Sequence, residues 1–306
     1  MRRICGILGI GQVDRKQLKE DIHLEMERSS STERFQPMTS VGSGVGIEMA
    51  PDLYCFTVQI VNVVFYGIAG EGNDWVLIDA GMAKSASMIK AEAEKRFGEG
   101  NPPKAIILTH AHFDHIGALI DLLEDWGPVP VYAHSNELPY LTGKKNYPKP
   151  DTSVEGGMVA KMSFLFPNES IDIGENAHPL SDDHTVPFMP DWKWIHTPGH
   201  SDGHISLFRN EDHAMIVGDT FVTVKQDELY KVFTQEKEIN GPPRYFTPDW
   251  EIAEQSVGIL EALRPAIAIT GHGVPVEGEW LKENLTKLVA EFKTIAVPDY
   301  GKFVDE

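Results

Sequence analysis

The chain has 306 residues, 42% of them hydrophobic, enough to bury a substantial core as one large domain, and it lacks the run of roughly 18 apolar residues that a membrane span requires. Its 46 acidic against 27 basic side chains leave a formal charge of −19, a field that repels polyanions and argues against nucleic acid as substrate or partner. Two cysteines, Cys5 and Cys55, are too few for a disulfide framework and stand in no metal-ligand pattern, so the composition favours a reduced, cytoplasmic setting.

At the N-terminus, Met1-Arg2-Arg3 and the apolar run 4–10 imitate a signal peptide. Glycine breaks the run, however, and no small-residue cleavage site precedes Gln12-Val13-Asp14-Arg15-Lys16. Residues 1–40, with their polar Ser29-Ser30-Ser31-Thr32 cluster, therefore read as an uncleaved extension of a domain over 41–306. Whether that extension packs on the domain or on a neighbouring subunit, as the contact of a homo-oligomer, stays open. Strand-like runs follow at 59–66, 75–78, 104–108, 129–133, 192–195, 205–208 and 266–269. Between them, 83–97, 116–126, 249–263 and 279–294 carry apolar residues at three- and four-residue spacing, as amphipathic helices do. Thr247-Pro248 should open one helix as N-cap and first-turn proline, and Gly127-Pro128 should close another. The alternation predicts an α/β domain whose loops carry the function.

The densest chemistry is Thr109-His110-Ala111-His112-Phe113-Asp114-His115, directly after the apolar run Ala105-Ile106-Ile107-Leu108. In an extended segment His-x-His sends both rings to one side, and the following Asp-His can turn towards a second position, so one motif can feed two metal ions. Each further candidate stands at the end of an apolar run or in a tight turn, beside or close to glycine. Asp79 lies in Ile78-Asp79-Ala80-Gly81, His200 in Thr197-Pro198-Gly199-His200, Asp219 in Val217-Gly218-Asp219-Thr220, and His272 in Thr270-Gly271-His272-Gly273. Glycine there permits close backbone approach and unusual dihedrals. All the donors are imidazole or carboxylate, a set that suits zinc and leaves manganese and iron open.

In type and order these five motifs resemble those of the metallo-β-lactamase superfamily, over about residues 46–272. The resemblance implies an αββα four-layer sandwich, with two sheets face to face and helices outside. It implies that His110, His112 and His200 bind one divalent ion and that Asp114, His115 and His272 bind a second. Asp219 would bridge the two, and Asp79 would steady the histidine loop from behind. His204, four residues after His200, would likewise stand behind the ligands. Two Zn2+ ions per chain are expected, with Mn2+ or Fe2+ as alternatives. The metals would lower the pKa of a shared water and polarise the bond under attack, while Asp114 oriented that water and carried its proton to the leaving group.

Departures from sub-family patterns narrow the chemistry. True β-lactamases generally lack a bridging carboxylate where Asp219 stands, and flavodiiron oxidoreductases carry Glu where this chain has His112. The Gly-Asp-Thr and Gly-His-Gly runs are similar to those of glyoxalase II, yet the short tail after His272 is not expected to hold its glutathione-binding helical domain. Val222 occupies the position where quorum-quenching lactonases carry a carbonyl-holding tyrosine. The expected function is a dinuclear hydrolase that cleaves a small carboxylic ester, lactone or thioester and has no partner beyond that small-molecule substrate. The alternatives are a phosphodiesterase on the same site and persulfide oxidation at a single iron. Two long segments, 137–168 and 221–250, are the places to look for substrate contacts. The first could roof the metals or be a surface excursion; in the second, Arg244 and Tyr245 are candidates to meet a substrate anion, although a proline-fixed turn before a helix explains that run as well.

Overall fold

The computed structural model describes residues 39–304, so all but the last two residues of the expected extension lie outside the described residues. One sheet runs in chain order: β1 (Gly46–Ala50), β2 (Leu53–Val58), β3 (Val61–Tyr66), β4 (Val76–Ile78), β5 (Ile106–Ile107), β6 (Val131–Ala133) and β7 (Ala177–Pro179). Its first four strands are antiparallel and the rest join in parallel. The other sheet has β8 (Thr185–Val186), β9 (Met189–His196), β10 (Ile205–Arg209), β11 (Ala214–Gly218), β12 (Ile267–Thr270) and β13 (Val276–Glu277) in the order β13-β12-β11-β10-β9-β8. Only β11 and β12 pair in parallel there.

Period-two alternation divides each strand between two faces. Val76, Ile78, Ala105 and Ile107 of the first sheet meet Trp192, Trp194, Ile205, Leu207 and Ile216 of the second in a shared core. The opposite face of the second sheet, through Phe208, Met215, Val217 and Ala268, takes the helices Trp250–Ala262 and Gly278–Ala290 by their Val257, Leu260, Leu281 and Leu285. On the outer face of the first sheet, Phe65 and Trp75 receive Phe97 of the helix Ala86–Phe97, with the Trp75 and Phe97 rings stacked at 4.8 Å. Because both faces of each sheet are covered, the central strand β11 is apolar throughout, and β3 is apolar but for Asn62, whose side-chain amide donates to Thr270 O and Gly273 O. The architecture is the αββα sandwich. No helix among the described residues is long and apolar enough to cross a membrane.

Several boundaries differ from expectation, each for a local reason. The run 59–66 is not one strand: Gln59 takes φ 58° and, with Ile60, turns β2 into β3. The helix expected over 249–263 is capped by Asp249, whose carboxylate accepts the Ile252 N–H at 2.9 Å, so Thr247 and Pro248 precede it. The 116–126 run is divided at Gly117-Ala118 into Phe113–Ile116 and Leu119–Trp126, and 279–294 breaks at Glu291. Gly127 closes its helix at φ 83°, donating to Leu123 O, as its position suggested.

Candidate metal centre

The segments that leave β4, β5, β11 and β12 meet at one edge of the sandwich, joined by the β9–β10 turn that carries His200. Asp79, at the end of β4, is buried at φ 59°, a conformation a non-glycine residue adopts only when its surroundings hold it. They do: its carboxylate accepts Thr109 N–H, Thr109 Oγ1–H and His115 Nδ1–H, each at 2.8 Å.

These bonds fix the tautomers. His115 donates from Nδ1 and turns Nε2 towards the centre. Thr109 Oγ1 spends its proton on Asp79, so His110 Nδ1–H donates to that oxygen at 3.1 Å. Thr247 Oγ1 likewise donates to Pro243 O and accepts from His200 Nδ1 at 3.1 Å. His272 Nδ1 donates to Ile60 O at 2.9 Å. Four rings thus anchor Nδ1 and turn Nε2 away from their anchors, a free lone pair in each ring when that ring is neutral. His272 Nε2 stands 3.2 Å from Asp114 Oδ2 and 3.3 Å from Asp219 Oδ2, and His200 Nε2 lies 2.9 Å from His112 Nδ1. His115 Nε2 is 3.5 Å from Asp219 Oδ1.

A cation fits this donor set. His110 Nε2, His115 Nε2 and Asp219 Oδ1 are buried without a hydrogen-bond partner, each at a cost on the order of 1–3 kcal/mol unless something else engages it. Three overlapping triplets, His110/His112/His200, His110/His115/Asp219 and Asp114/His115/His272, hold their ligand-capable atoms within 4.8 Å of one another. Burial keeps His110 and His200 well below the ordinary imidazole pKa and lowers His112 to about 4, so all three are neutral donors at neutral pH. Burial acts on His272 in the same direction, but Asp219 and the Asp114 hydrogen bond outweigh it and push that ring up to about 10; His115 is raised in the same way by Asp219 and Asp79. The buried carboxylates therefore call for positive charge at the centre, which divalent cations supply while leaving every ring neutral. Gly271 keeps the centre open, because a Cβ there would lie 2.0 Å from Asp219 Oδ1.

His204 stands behind this group. Its Nε2 accepts the Asp219 N–H at 2.9 Å, so its Nδ1–H is left to donate to Thr197 Oγ1, and both nitrogens are used. His134 and His196 are half-buried and stack on one another at 4.4 Å, outside these triplets.

A groove opens onto His112 and His200, walled by Tyr140, Tyr147, Tyr245, Phe246 and Phe303, with Lys149 and Asp202 exposed at its rim. The rings of Tyr147 and Phe246 lie 4.4 and 4.6 Å from His112. The structure thus brings parts of both long segments, and Tyr245 in particular, to the site. Burial, then Asp114, raises the Tyr245 phenol well above its ordinary pKa, so it stays a neutral donor, and its hydroxyl has no hydrogen bond among the described residues. Arg244 is not brought there. Its guanidinium is taken up by Glu155 at 3.1 Å, Asp227 at 3.4 Å, Ala296 O at 3.0 Å and Ile295 O at 3.3 Å.

Sequence reasoning missed Glu137, Phe246 as a ring against His112, Thr247 as the acceptor that fixes His200, and the Ile60 carbonyl behind His272. Phe246 sat in a segment marked for inspection; a backbone carbonyl and an unremarkable Glu leave no signal at all. Glu137 is fully buried and accepts four hydrogen bonds.

The family model described as "Metallo-beta-lactamase superfamily" matches residues 56–272. The chain is 49% identical over 261 residues to the "Probable metallo-hydrolase YflN" of Bacillus subtilis (strain 168), covering 85% of this chain and 98% of that protein. It is 31% identical over 203 residues to a second probable metallo-hydrolase of that organism, YybB, covering 66% of this chain and 77% of that protein. In fold it is similar to the crystal structure of a beta-lactamase domain protein from Burkholderia ambifaria, with a TM-score of 0.57 at 18% identity over 85% of this chain and 80% of that one.

Proposed function

The chain belongs to the metallo-β-lactamase superfamily and is a metal-dependent hydrolase, and on that premise we propose that it holds two divalent ions, Zn2+ by preference, and hydrolyses small, uncharged carboxylic esters, lactones or thioesters. His110, His112 and His200 would hold one ion and Asp114, His115 and His272 the other, with Asp219 available to both. The observation that carries the acyl reading is the aromatic groove: apart from Lys149 at its rim it offers no cation to a phosphate, while one unpaired phenol stands beside the His112/His200 pair. The chain's net charge of −19 disfavours polyanions in the same sense.

When bound, the ions supply a water of lowered pKa and polarise the carbonyl. The residues do the rest. The ring walls of Tyr147 and Phe246 exclude bulk water and orient an apolar or aromatic acyl or alcohol group against His112. Tyr245 donates to the carbonyl oxygen as charge builds on it. Asp114, held by His272 at 3.2 Å, accepts the proton of the attacking water and returns it to the departing alkoxide or thiolate. Ester and water become acid and alcohol, with no proton left over.

The test is acid release from an aryl ester, a simple lactone, a thioester and an activated phosphodiester by metal-loaded protein, beside a chelated control. Chelator-sensitive cleavage of a carboxylic substrate supports the reading; cleavage of the phosphodiester alone moves it to phosphoryl chemistry, and silence on all four with iron content and oxygen uptake moves it to oxidation.

A further inference from the structure

Outside the donor cluster, the most heavily bonded buried group near the site is a carboxylate that touches no candidate ligand side chain. Glu137 Oε2 accepts the Ala111 N–H at 2.9 Å and the Tyr147 hydroxyl, while Oε1 accepts Ser201 Oγ–H at 2.8 Å and Gly203 N–H at 2.9 Å. Four donors and no acceptor meet it, which is the environment of an anion. Ala111 separates His110 from His112; Ser201 follows His200; Tyr147 forms the groove wall that lies 4.4 Å from His112. The approach is close enough to dictate sequence, since a Cβ on Gly203 would stand 2.7 Å from Glu137 Cγ.

We infer that Glu137 is a positioning residue that ties three separate segments, 109–112, 147–149 and 200–204, into one rigid frame, so that His110, His112 and His200 form a preorganised site for one of the two ions. Its role in metal binding rests on the reading above; its role as a tie does not. The three segments come from different parts of the chain, and Glu137, which belongs to none of them, hydrogen-bonds to each. Each carboxylate oxygen holds one backbone N–H and one side-chain hydroxyl, so the loops are held by main chain as well as by side chains. Ligands that must otherwise be gathered from mobile loops lose affinity to ordering entropy, and supporting bonds of this kind are worth about 10- to 100-fold in metal binding.

Two measurements test it on Glu137→Gln, which keeps size and replaces one acceptor oxygen by a donor that faces two donors. In the metal-free protein, NMR-detected exchange of the Ala111 and Gly203 amides should speed up by about tenfold or more, with helical amides of 250–262 unchanged. On titration with Zn2+ against a chromophoric chelator, one of the two binding steps should weaken by about tenfold or more and the other should hold. Ser201→Ala, which removes a single bond and keeps the fold in hand should Glu137→Gln prove too disruptive, should move both readouts the same way by a smaller factor. Unchanged amide exchange in both variants overturns the tie, and faster exchange with unaltered zinc affinity overturns its role in preorganisation. Failure of the unsubstituted protein to bind zinc overturns the two-ion reading instead, and the amide exchange still decides the tie.

Discussion

Replacing Asp79 by Asn should weaken the binding of one ion without substituting any of the candidate ligands. Asp79 accepts three hydrogen bonds at 2.8 Å, one of them from His115 Nδ1–H, and sits at φ 59°. Asn is among the few residues that tolerate this conformation, so the backbone is preserved. Its Oδ1 can still accept the Thr109 N–H, but its NH2 then faces His115 Nδ1 and Thr109 Oγ1. Two donors cannot face each other, so the His115 proton moves to Nε2, the atom that points at Asp219 Oδ1 from 3.5 Å. The lone pair offered to the centre is lost. Restoring it requires breaking the new Asn–His115 bond, which should lower affinity for the ion held with Asp114 and His272 by about 10- to 100-fold, or roughly 1.4–2.8 kcal/mol. The assay is competitive zinc titration, with 15N shifts of the His115 ring reporting its tautomer. Two zinc ions bound at parental affinity, or a ring still protonated at Nδ1, would refute the reasoning.

Tyr245→Phe should lower kcat on a carboxylic ester by about 10²-fold with little change in KM or metal content, since the phenol is engaged as charge develops; a fall in KM affinity alone would make it a wall residue. Arg244→Ala should leave turnover per folded chain intact yet cost about 3 kcal/mol in urea unfolding, because the buried Asp227 carboxylate loses its guanidinium. Burial pushes Asp227 up to about 6, above its value near 3.9 in an unfolded chain, so the folded state binds that proton more tightly. This contribution is complete below about pH 4 and lost as pH rises through 6. The stability of Asp227→Asn relative to the parent should therefore rise between pH 4 and 7, and a flat difference would contradict the assignment.

Much of the candidate site could be read from the chain because its residues are chemically loud and locally clustered. His-x-His-x-Asp-His after 105–108, and Asp79, Asp219 and His272 at the ends of β4, β11 and β12, are signals of residue type plus position, and they meet because parallel strands end at one edge. The α/β class followed from the alternation of strand-like runs with amphipathic stretches, whereas the αββα arrangement came from the family resemblance alone. Short elements did not: β8 and β13 have two residues each and are held by sheet neighbours rather than by their own pattern. The hairpin turn at Gln59 was invisible because a glutamine at positive φ carries none of the usual turn chemistry. Arg244 looked like an anion binder because its charge was visible and its partners, Asp227 and Glu155, were far away in sequence or undistinguished. Glu137 shows the same limit in reverse: four bonds to three distant segments make it important, and none can be inferred from Asn136-Glu137-Leu138 alone.

The measurement closest to the central claim is to strip the protein of metal, restore zinc in increments, and follow ions bound per chain together with hydrolysis of the best carboxylic substrate. Two ions per chain, with hydrolysis rising as the pair is completed and vanishing with chelator, is the predicted result. Fewer than two ions at saturation, or ester hydrolysis that survives complete removal of metal, would contradict it.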